Sequence, residues 1–326
     1  MDFRVKLWGI RGSLPTPHPP EEFREILLHM LQMYEEKRSD VKSPAEFLAS
    51  LNPPFHGGFG GHTSCIEVAH GEDNRLIVDG GSGLRRLGER MLLTDLGKGK
   101  GEAHILLTHF HWDHLIGLPF FVPIFIPGNK INFYAVHDDL EENIRLMFRK
   151  PNFPVDYKDL GAEIVFHKLE PRKKKMFGEI AVTPYQLDHP DPCWGFRFEC
   201  NGKVFSHCVD SEMTRISPDD LGEDLPLYQG VDLALMDAQY TFVEATERIN
   251  WGHASAPVGL DLAMREGIKR ALFIHHDPAA SDVKIQQLEN QTREYYETAL
   301  KHSKNQKRHH HEVDWEFARE GMEIIL

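Results

Sequence analysis

The amino-acid sequence predicts a layered α/β protein, and two patterns carry that prediction. Short runs rich in apolar and β-branched residues, such as "FRVKL", "RLIVD", "HILLT", "VDLALMD" and "RALFIH", are typical of strands. Helical patterns lie between some of them. In "SAPVGLDLAMREG", Ser255 is a candidate N-cap, Pro257 stands in the first turn and Gly267 follows the last turn. Because strands and helices are interspersed, we expect sheets that are covered by helices.

Composition and charge restrict the classes of function. The chain has 326 residues and a formal net charge of −13. Such a balance repels polyanions, so nucleic-acid recognition is not expected, whereas bound metals can still attract a small anionic substrate. The four cysteines have no C-x-x-C spacing, which indicates reduced thiols. No apolar run reaches the roughly 20 residues of a membrane span, and the N-terminus resembles a strand. We therefore expect a cytoplasmic protein with no membrane contact.

No repeat and no low-complexity linker divides the chain, so we expect one domain over residues 1–326. A helical insertion is expected at about 19–51, because apolar residues from Phe23 to Tyr34 recur there at helical spacing. The insertion is a candidate lid or homodimer contact, and we favour a surface helix that packs on its own core. Residues 119–160, rich in aromatic residues and proline, are a candidate wall of a substrate cleft.

The stretch "ILLTHFHWDHLIG" is the strongest functional signal. It places His109, His111, Asp113 and His114 within six residues, directly after an apolar run. Residues two apart in an extended segment point the same way, so the first two histidines can hold one ion together. The aspartate and the third histidine face a second position as the chain turns. A zinc ion takes about four ligands at roughly 2.0–2.2 Å. Four donors within six residues cannot all close around one ion, so the pattern predicts a two-metal site.

This H-x-H-x-D-H pattern resembles the metallo-β-lactamase-fold hydrolases, and later motifs match that family in order. Asp79 in "LIVDGGSGL" matches the aspartate that supports the metal-binding histidines. His189 in "LDHPDPCWGFRFE" matches the third histidine, and Asp210 in "KVFSHCVDSE" matches the bridging aspartate. Val209 and Ser211 stand where the family usually has the glycine and threonine of a G-D-T turn. The resemblance covers nearly the whole chain except the helical insertion.

The family's last metal ligand is a histidine at a strand end, and "ALFIHHDP" offers two candidates, His275 and His276. Setting "LFIHH" beside "ILLTH" places His276 against His109, so we predict that His276 is the ligand and that His275 supports the site. The resemblance then implies that the first metal is held by His109, His111 and His189. It implies that the second is held by Asp113, His114 and His276, with Asp210 and a hydroxide between the two metals.

Within the family, the chain resembles the phosphodiesterase branch, which includes the tRNA 3′-processing endonucleases. In having an aspartate at position 210, the chain resembles the glyoxalase-type and phosphodiesterase members of the family. "GHAS" stands where the branch has an "HST" motif, so His253 is predicted to be the general acid, acting with Asp113 and Asp210. The alternative for His253 is a histidine that only packs at a helix start.

Several further motifs resemble one bacterial subgroup of this branch, related to cyclic-nucleotide phosphodiesterases. They are "LWGIRGSLPTPHP", "GGFGGHTSCIEV" and "IVDGGSGLRRLG". His62 departs from the subgroup, where asparagine is expected, so the glycine-rich loop either only shapes the cleft or contributes another polar contact. Arg11 is a candidate contact for a substrate phosphate, with an ordinary surface arginine as the alternative.

The resemblance implies a four-layer αββα sandwich of two mixed sheets with the metals at one edge. It also implies two divalent ions, with zinc favoured, although imidazole and carboxylate ligands accept manganese and iron. The expected function is hydrolysis of a small or cyclic nucleotide-like phosphodiester. The alternatives are a glyoxalase- or lactonase-type hydrolase and, in another class, a metal-bound nucleotide sensor without turnover.

Overall fold

The computed structural model describes residues 2–51, 53–55, 57–72, 74–215, 217–306 and 311–326. Its strands are β1 Phe3–Gly9, β2 Cys65–His70, β3 Asn74–Val78, β4 Glu102–Leu106, β5 Lys130–Ala135, β6 Glu163–Lys168, β7 Lys175–Phe177, β8 Ile180–Gln186, β9 Trp194–Cys200, β10 Lys203–Cys208, β11 Leu233–Asp237, β12 Arg270–Ile274, β13 Asp314–Phe317 and β14 Glu323–Ile325. Its α-helices are α1 Pro20–Lys37, α2 Pro44–Ala49, α3 Gly83–Met91, α4 Leu140–Met147, α5 Pro218–Leu221, α6 Phe242–Glu247, α7 Ala256–Glu266 and α8 Asp282–Gln306. Shorter 3-10 turns connect several of these elements.

The strands form two sheets of similar construction. The first has the order β14-β1-β2-β3-β4-β5-β6 and the second has the order β13-β12-β11-β10-β9-β8-β7. In the first sheet, β3 to β6 run parallel and β14 to β3 pair antiparallel. In the second, β10 to β13 are parallel and β7 to β10 are antiparallel. Both sheets are therefore mixed.

The sequence patterns explain which faces are buried. Phe3, Val5 and Leu7 of β1 alternate with less buried residues and pack into the core between the sheets. A separate cluster joins the other face of the first sheet to α3 and α4, through residues such as Ile105 and Leu87. Every residue of β11 is buried, as expected of a parallel strand covered on both faces, and α7 packs on it. The predicted four-layer αββα sandwich of two mixed sheets is confirmed.

The helical insertion contains two helices, α1 and α2. No residue of α1 is buried, and Phe23, Leu28 and Leu31 are among its exposed apolar side chains. The helix therefore lies at the surface, as favoured from the sequence, but it buries no side chain in the core. Ser255 is the N-cap residue of α7, although its side chain makes no capping hydrogen bond. Among the described residues, no helix is both long enough and apolar enough to cross a membrane.

One edge of the sandwich collects the carboxyl ends of five strands. Parallel pairing brings the ends of β3 and β4 together in the first sheet, and those of β10, β11 and β12 in the second. The two sheets are joined there, because His275 N donates to Ile10 O at 2.7 Å and Trp194 N to Thr108 O at 3.1 Å. Side chains that follow these strand ends therefore meet in one place.

Three residues at this edge turn out of their strands with a positive φ. The angles are +63° at Asp79, +63° at Asp210 and +67° at His275. Aspartate and histidine adopt this left-handed conformation more readily than most residues, but at a cost in free energy. Such strain at non-glycine positions is concentrated in functional sites, so it marks the three residues as a set.

Arg11 is buried in an ion pair and does not face a substrate site. Its Nη2 lies 3.0 Å from Asp282 Oδ1, and both side chains are at most 4% exposed. Its Nε and Nη1 donate to the carbonyl oxygens of Gly60 and Ala280, each at 2.8 Å. Neither interpretation of Arg11 from the sequence is correct: it is not a surface residue, and its donors are already used.

Arg11→Met is therefore expected to lower the free energy of unfolding by about 3–5 kcal/mol, because it removes the buried arginine from the Asp282 carboxylate and leaves only the contacts with His18 Nε2 and the Phe59 N–H. Urea denaturation measures this loss. Arg85→Met is the control, since Arg85 pairs with Glu89 at the surface and such pairs contribute at most about 1 kcal/mol. Equal losses in the two variants would contradict a structural role for the buried pair.

Candidate metal centre

Asp79 contacts residues of the first sheet that carry or adjoin the candidate metal ligands. Its carboxylate accepts hydrogen bonds from the Thr108 N–H at 2.9 Å and from the Thr108 hydroxyl at 3.0 Å. His114 Nδ1 lies 2.7 Å from Asp79 Oδ2, so this nitrogen is the donor and Nε2 is left free for a metal. The Thr108 hydroxyl also lies 3.0 Å from His109 Nδ1, which connects a second imidazole to the same carboxylate. Such contacts are what a residue that supports the metal-binding histidines would make, as the sequence predicts for Asp79.

The first ligand group consists of His109, His111 and His189. Their nearest ring nitrogens lie within 4.8 Å of one another, a separation that three ligands of one ion can span. The ring centroid of His189 lies 4.9 Å from that of His109 and 4.9 Å from that of His111. His111 Nε2 lies 2.9 Å from Asp191 Oδ2, an exposed carboxylate that the sequence did not single out.

The second ligand group surrounds the buried carboxylate of Asp210. His114 Nε2 lies 2.7 Å from Asp210 Oδ2, and His275 Nε2 lies 2.8 Å from Asp210 Oδ1. Asp113 Oδ2 is 3.3 Å from His114 Nε2 and 3.6 Å from His275 Nε2. His109 Nδ1 is also 3.9 Å from Asp210 Oδ2, so this carboxylate lies against both groups. The arrangement matches a bridging position for Asp210.

The structure places His275, and not His276, in the cluster. The side chain of His276 packs against Phe317, with ring centroids 5.5 Å apart, and its Nε2 lies 3.3 Å from Ala318 O. It occurs in none of the groups of described residues whose donor atoms could hold a metal. The prediction that His276 faces the second metal is therefore wrong. The positive φ of His275 turns this side chain into the site directly after β12, so the next residue points away.

The burial of unpaired polar atoms is an independent sign of a metal site. Among the described residues, His109 Nε2 and His189 Nε2 are buried and have no hydrogen-bond partner. Burying a polar atom without a partner costs about 1–3 kcal/mol each. Imidazole nitrogens and carboxylates are ligands of zinc, manganese and iron. The residues therefore fit divalent metal ions.

Electrostatic coupling within the cluster shifts the pKa values strongly. Burial alone would raise the pKa of Asp210, but the His114 and His275 imidazoles hold it well below its usual value. Burial opposes protonation of His275, yet Asp210 raises its pKa to about 9. Burial and the adjacent His114 lower the pKa of His109 well below its usual value. Positive charge is therefore favoured beside Asp210, and cations in both ligand groups would supply it.

His253 lies beside Asp210 and is held by a carboxylate that the sequence did not reveal. His253 Nδ1 donates to Asp237 Oδ2 at 2.9 Å and is 3.4 Å from Asp210 Oδ1. Asp237 is fully buried, and its Oδ1 accepts the N–H groups of Gln239 and Ala254. These contacts fix the ring orientation and leave His253 Nε2 as the atom that can carry a proton to a substrate. The sequence feature that could have pointed to Asp237 is its position at the end of the apolar strand "LALMD".

Backbone and sulfur contacts complete the surroundings. The N–H of Ser13 donates to Asp113 Oδ2 at 2.8 Å, so the loop after β1 also approaches the site. Cys193 Sγ lies 3.6 Å from His109 Nδ1 and is fully buried. Neither residue could be assigned to the site from the sequence, because these contacts depend on how the loops meet.

The fold and this cluster together define a metal-dependent hydrolase. A sequence model described as the beta-lactamase superfamily domain matches residues 74–276, more than half of the chain, and the chain therefore belongs to that superfamily. Ribonuclease BN of Cronobacter sakazakii is 29% identical over 133 residues, which cover 38% of this chain and 38% of that protein. The match thus spans well under half the length of that relative.

Solved structures agree with the assignment of the fold. The metallo-β-lactamase-fold protein YhfI from Bacillus subtilis superposes with a TM-score of 0.63 at 14% identity, covering 100% of both chains. A diphosphatase from the PhnP family has a TM-score of 0.60 at 14% identity, covering 99% of this chain and 97% of its own. At such identities the likeness establishes the fold alone.

Proposed function

We propose that the protein hydrolyses phosphodiesters with the help of two divalent metal ions. The observation that carries this proposal is the buried Asp210 carboxylate, which lies against both ligand groups and against a histidine, His253, that is oriented by its own carboxylate. A site with two adjacent metal positions and a positioned proton donor suits displacement at phosphorus.

His109, His111 and His189 would hold one ion. Asp113, His114 and His275 would hold the other, and Asp210 would contact both. When bound, the two ions supply an activated water and neutralise negative charge on the phosphate oxygens. Asp79 keeps His114 in the tautomer that presents Nε2, and Ser13 N–H holds the Asp113 carboxylate in place.

His253 would protonate the leaving oxygen. Its Nδ1 is bonded to Asp237, which fixes the ring, so a proton on Nε2 is free to move to the departing alkoxide. Asp237 is accordingly a positioning residue that acts through His253. A single general acid provides only about 10²–10⁴-fold, which is small beside the accelerations of up to about 10¹⁷-fold or more that slow phosphate-ester hydrolysis requires.

The names of two similar proteins support phosphate-ester chemistry. One relative is a ribonuclease and one structural neighbour is a diphosphatase, so both act on bonds to phosphorus. The presence of aspartate at position 210 together with the His253–Asp237 pair is the feature of this chain that agrees with them. The small nucleotide substrate, the zinc preference and the cytoplasmic location remain part of the same proposal.

The experiment compares two esters of thymidine 5′-phosphate that differ in the leaving group. We expect His253→Ala to lower kcat for the p-nitrobenzyl ester by about 10²–10⁴-fold, because an alkoxide must be protonated as it departs. For the p-nitrophenyl ester the loss should be below about tenfold, since p-nitrophenolate leaves without a proton. Asp237→Asn should show the same leaving-group dependence with a smaller amplitude.

Equal losses on the two esters would remove His253 from the role of proton donor. Lack of turnover of both esters by the metal-loaded native chain would reject the phosphodiesterase assignment itself. Thioesters and lactones would then be tested as substrates.

A further inference from the structure

A cleft lies next to the chain segment that carries Asp113 and His114, although neither of these residues lines it. The His62 cleft, as we call it, has a volume of about 460 Å³ and is lined in part by Pro15, Pro17, His62, Ser82, Ile116 and Phe120. Its size falls within the roughly 300–1,000 Å³ of small-molecule sites in proteins. Nothing in the metal-binding arrangement accounts for this cleft.

The walls of the cleft continue into the metal centre. One wall is the loop after Ser13, whose N–H donates to the Asp113 carboxylate. Another includes Gly117, whose N–H donates to Gly80 O at 2.8 Å, while Gly80 N–H donates to His114 O at 2.7 Å. Backbone hydrogen bonds therefore join the walls of the cleft to the Asp113 side of the metal centre. His253 contacts Asp210 and Asp237 instead, so the cleft and the proton donor approach the site through different ligands.

The cleft offers an apolar surface and one hydrogen-bonding edge. Phe120 is 53% exposed, and two prolines and an isoleucine extend the apolar wall. His62 Nδ1 lies 3.1 Å from Ser82 Oγ, which also accepts the Thr63 N–H at 2.9 Å. This contact fixes the His62 ring. In the part of the chain that the structure describes, His62 Nε2 takes part in none of the hydrogen bonds, so it can bind a ligand.

The charged side chains at the cleft already have partners. Arg85 pairs with Glu89, and Glu320 pairs with Arg86 and accepts the N–H of His62. An uncharged ligand group is therefore favoured over a second phosphate. A flat ring with polar edges satisfies both the exposed face of Phe120 and the free nitrogen of His62.

We propose that the His62 cleft binds the nucleoside of a nucleotide phosphodiester, with the base packed on Phe120 and its polar edge bonded to His62. This inference rests on the proposed phosphodiesterase function and specifies its substrate. The nucleoside is the group that stays on phosphorus, and the leaving group faces His253. Phe120 and His62 are thus residues that determine specificity and take no part in bond cleavage.

The test compares thymidine 5′-(p-nitrophenyl phosphate) with methyl p-nitrophenyl phosphate. The two substrates share a leaving group and differ only in the retained group. The native protein should prefer the nucleoside ester in kcat/KM. Phe120→Ala should raise KM for the nucleoside ester by roughly tenfold, because base–aromatic stacking is lost, with kcat nearly unchanged. Its effect on the methyl ester should be negligible. His62→Ala should act in the same direction, and His62→Gln, which retains a donor, should recover part of the loss.

Phe23→Ala is the matched control, since Phe23 is equally exposed at 53% but lies on α1 outside the cleft. This control variant should change neither KM nor kcat for either substrate. If Phe120→Ala affects both esters equally or neither, the cleft does not hold the nucleoside, and this inference fails while hydrolysis stands.

If the metal-loaded native chain hydrolyses neither ester, the proposed function fails instead. Calorimetric binding of thymidine 5′-phosphate to the metal-loaded protein then decides the inference. A dissociation constant raised roughly tenfold by Phe120→Ala supports the nucleoside site. An unchanged constant overturns it.

Discussion

Asp210→Ala is expected to abolish phosphodiester hydrolysis, with kcat reduced by about 10³-fold or more. In the structure this carboxylate touches both ligand groups through His109, His114 and His275, so its removal affects both metal positions together. Charge stabilisation by metal ions contributes several kcal/mol to such reactions, and each ~1.4 kcal/mol is a factor of ten in rate. No neighbouring oxygen among the described residues occupies an equivalent place between the groups.

The measurement is turnover of bis(p-nitrophenyl) phosphate by metal-reconstituted protein. Asp232→Ala serves as the control, because Asp232 lies just before β11, at the opposite end from Asp237, and pairs there with Lys269. That variant should retain native activity. Activity of Asp210→Ala within tenfold of the native protein would contradict a bridging role for this carboxylate.

The second large effect distinguishes the roles of the adjacent residues His275 and His276. His275→Phe is expected to remove one ligand of the second metal and to lower kcat by about 10²-fold or more, since a metal-bound ligand cannot be replaced by an apolar ring. His276→Phe should retain activity and metal affinity. The latter ring packs against Phe317 and Phe59, and the substitution sacrifices only the 3.3 Å contact with Ala318 O.

Metal affinity is measured for both variants by competition with a chromogenic chelator, together with turnover. We expect weakened binding of one equivalent in His275→Phe alone. The free energy of unfolding should change by no more than about 1–3 kcal/mol in His276→Phe, which is the ordinary range for a buried substitution. Loss of a metal in His276→Phe, with His275→Phe unaffected, would restore the prediction made from the sequence.

Local chemistry explains why most of the site could be predicted from the sequence. A recognisable strand precedes the four clustered donors His109, His111, Asp113 and His114. Their spacing indicates metal binding without knowledge of the tertiary structure. Asp79, His189 and Asp210 were found because they occur in a known order between strands. The two mixed sheets flanked by helices followed from the same resemblance.

The exchange of His275 and His276 has a specific structural cause. His109 comes three residues after the end of β4 at Leu106, whereas His275 follows β12 immediately after Ile274. Comparing the two strand ends letter by letter therefore gave the wrong register. The left-handed backbone at His275, at φ +67°, is set by contacts between the sheets, such as the bond from its N–H to Ile10 O.

Asp237 and Arg11 could not be assigned because their partners are distant in sequence. Asp237 becomes a site residue only when β11 pairs between β10 and β12, which brings it to His253. Arg11 is buried by Asp282, which lies 271 residues further along the chain. In both cases the residue type is common, and only the tertiary structure gives it a role. The exposure of the apolar face of α1 could likewise not be predicted, because helical spacing does not say whether a face is covered. A homodimer contact there stays a prediction.

The most direct test of a dinuclear phosphodiesterase is the activity of metal-free protein during titration with zinc. The chain has 20 histidines, several of which can bind zinc away from the site, so turnover of bis(p-nitrophenyl) phosphate is the readout rather than bound zinc. A requirement for two metals predicts little activity early in the titration, an upward-curving rise, and a plateau once two equivalents are bound. Full activity at one equivalent, or no turnover at two and above, would contradict it.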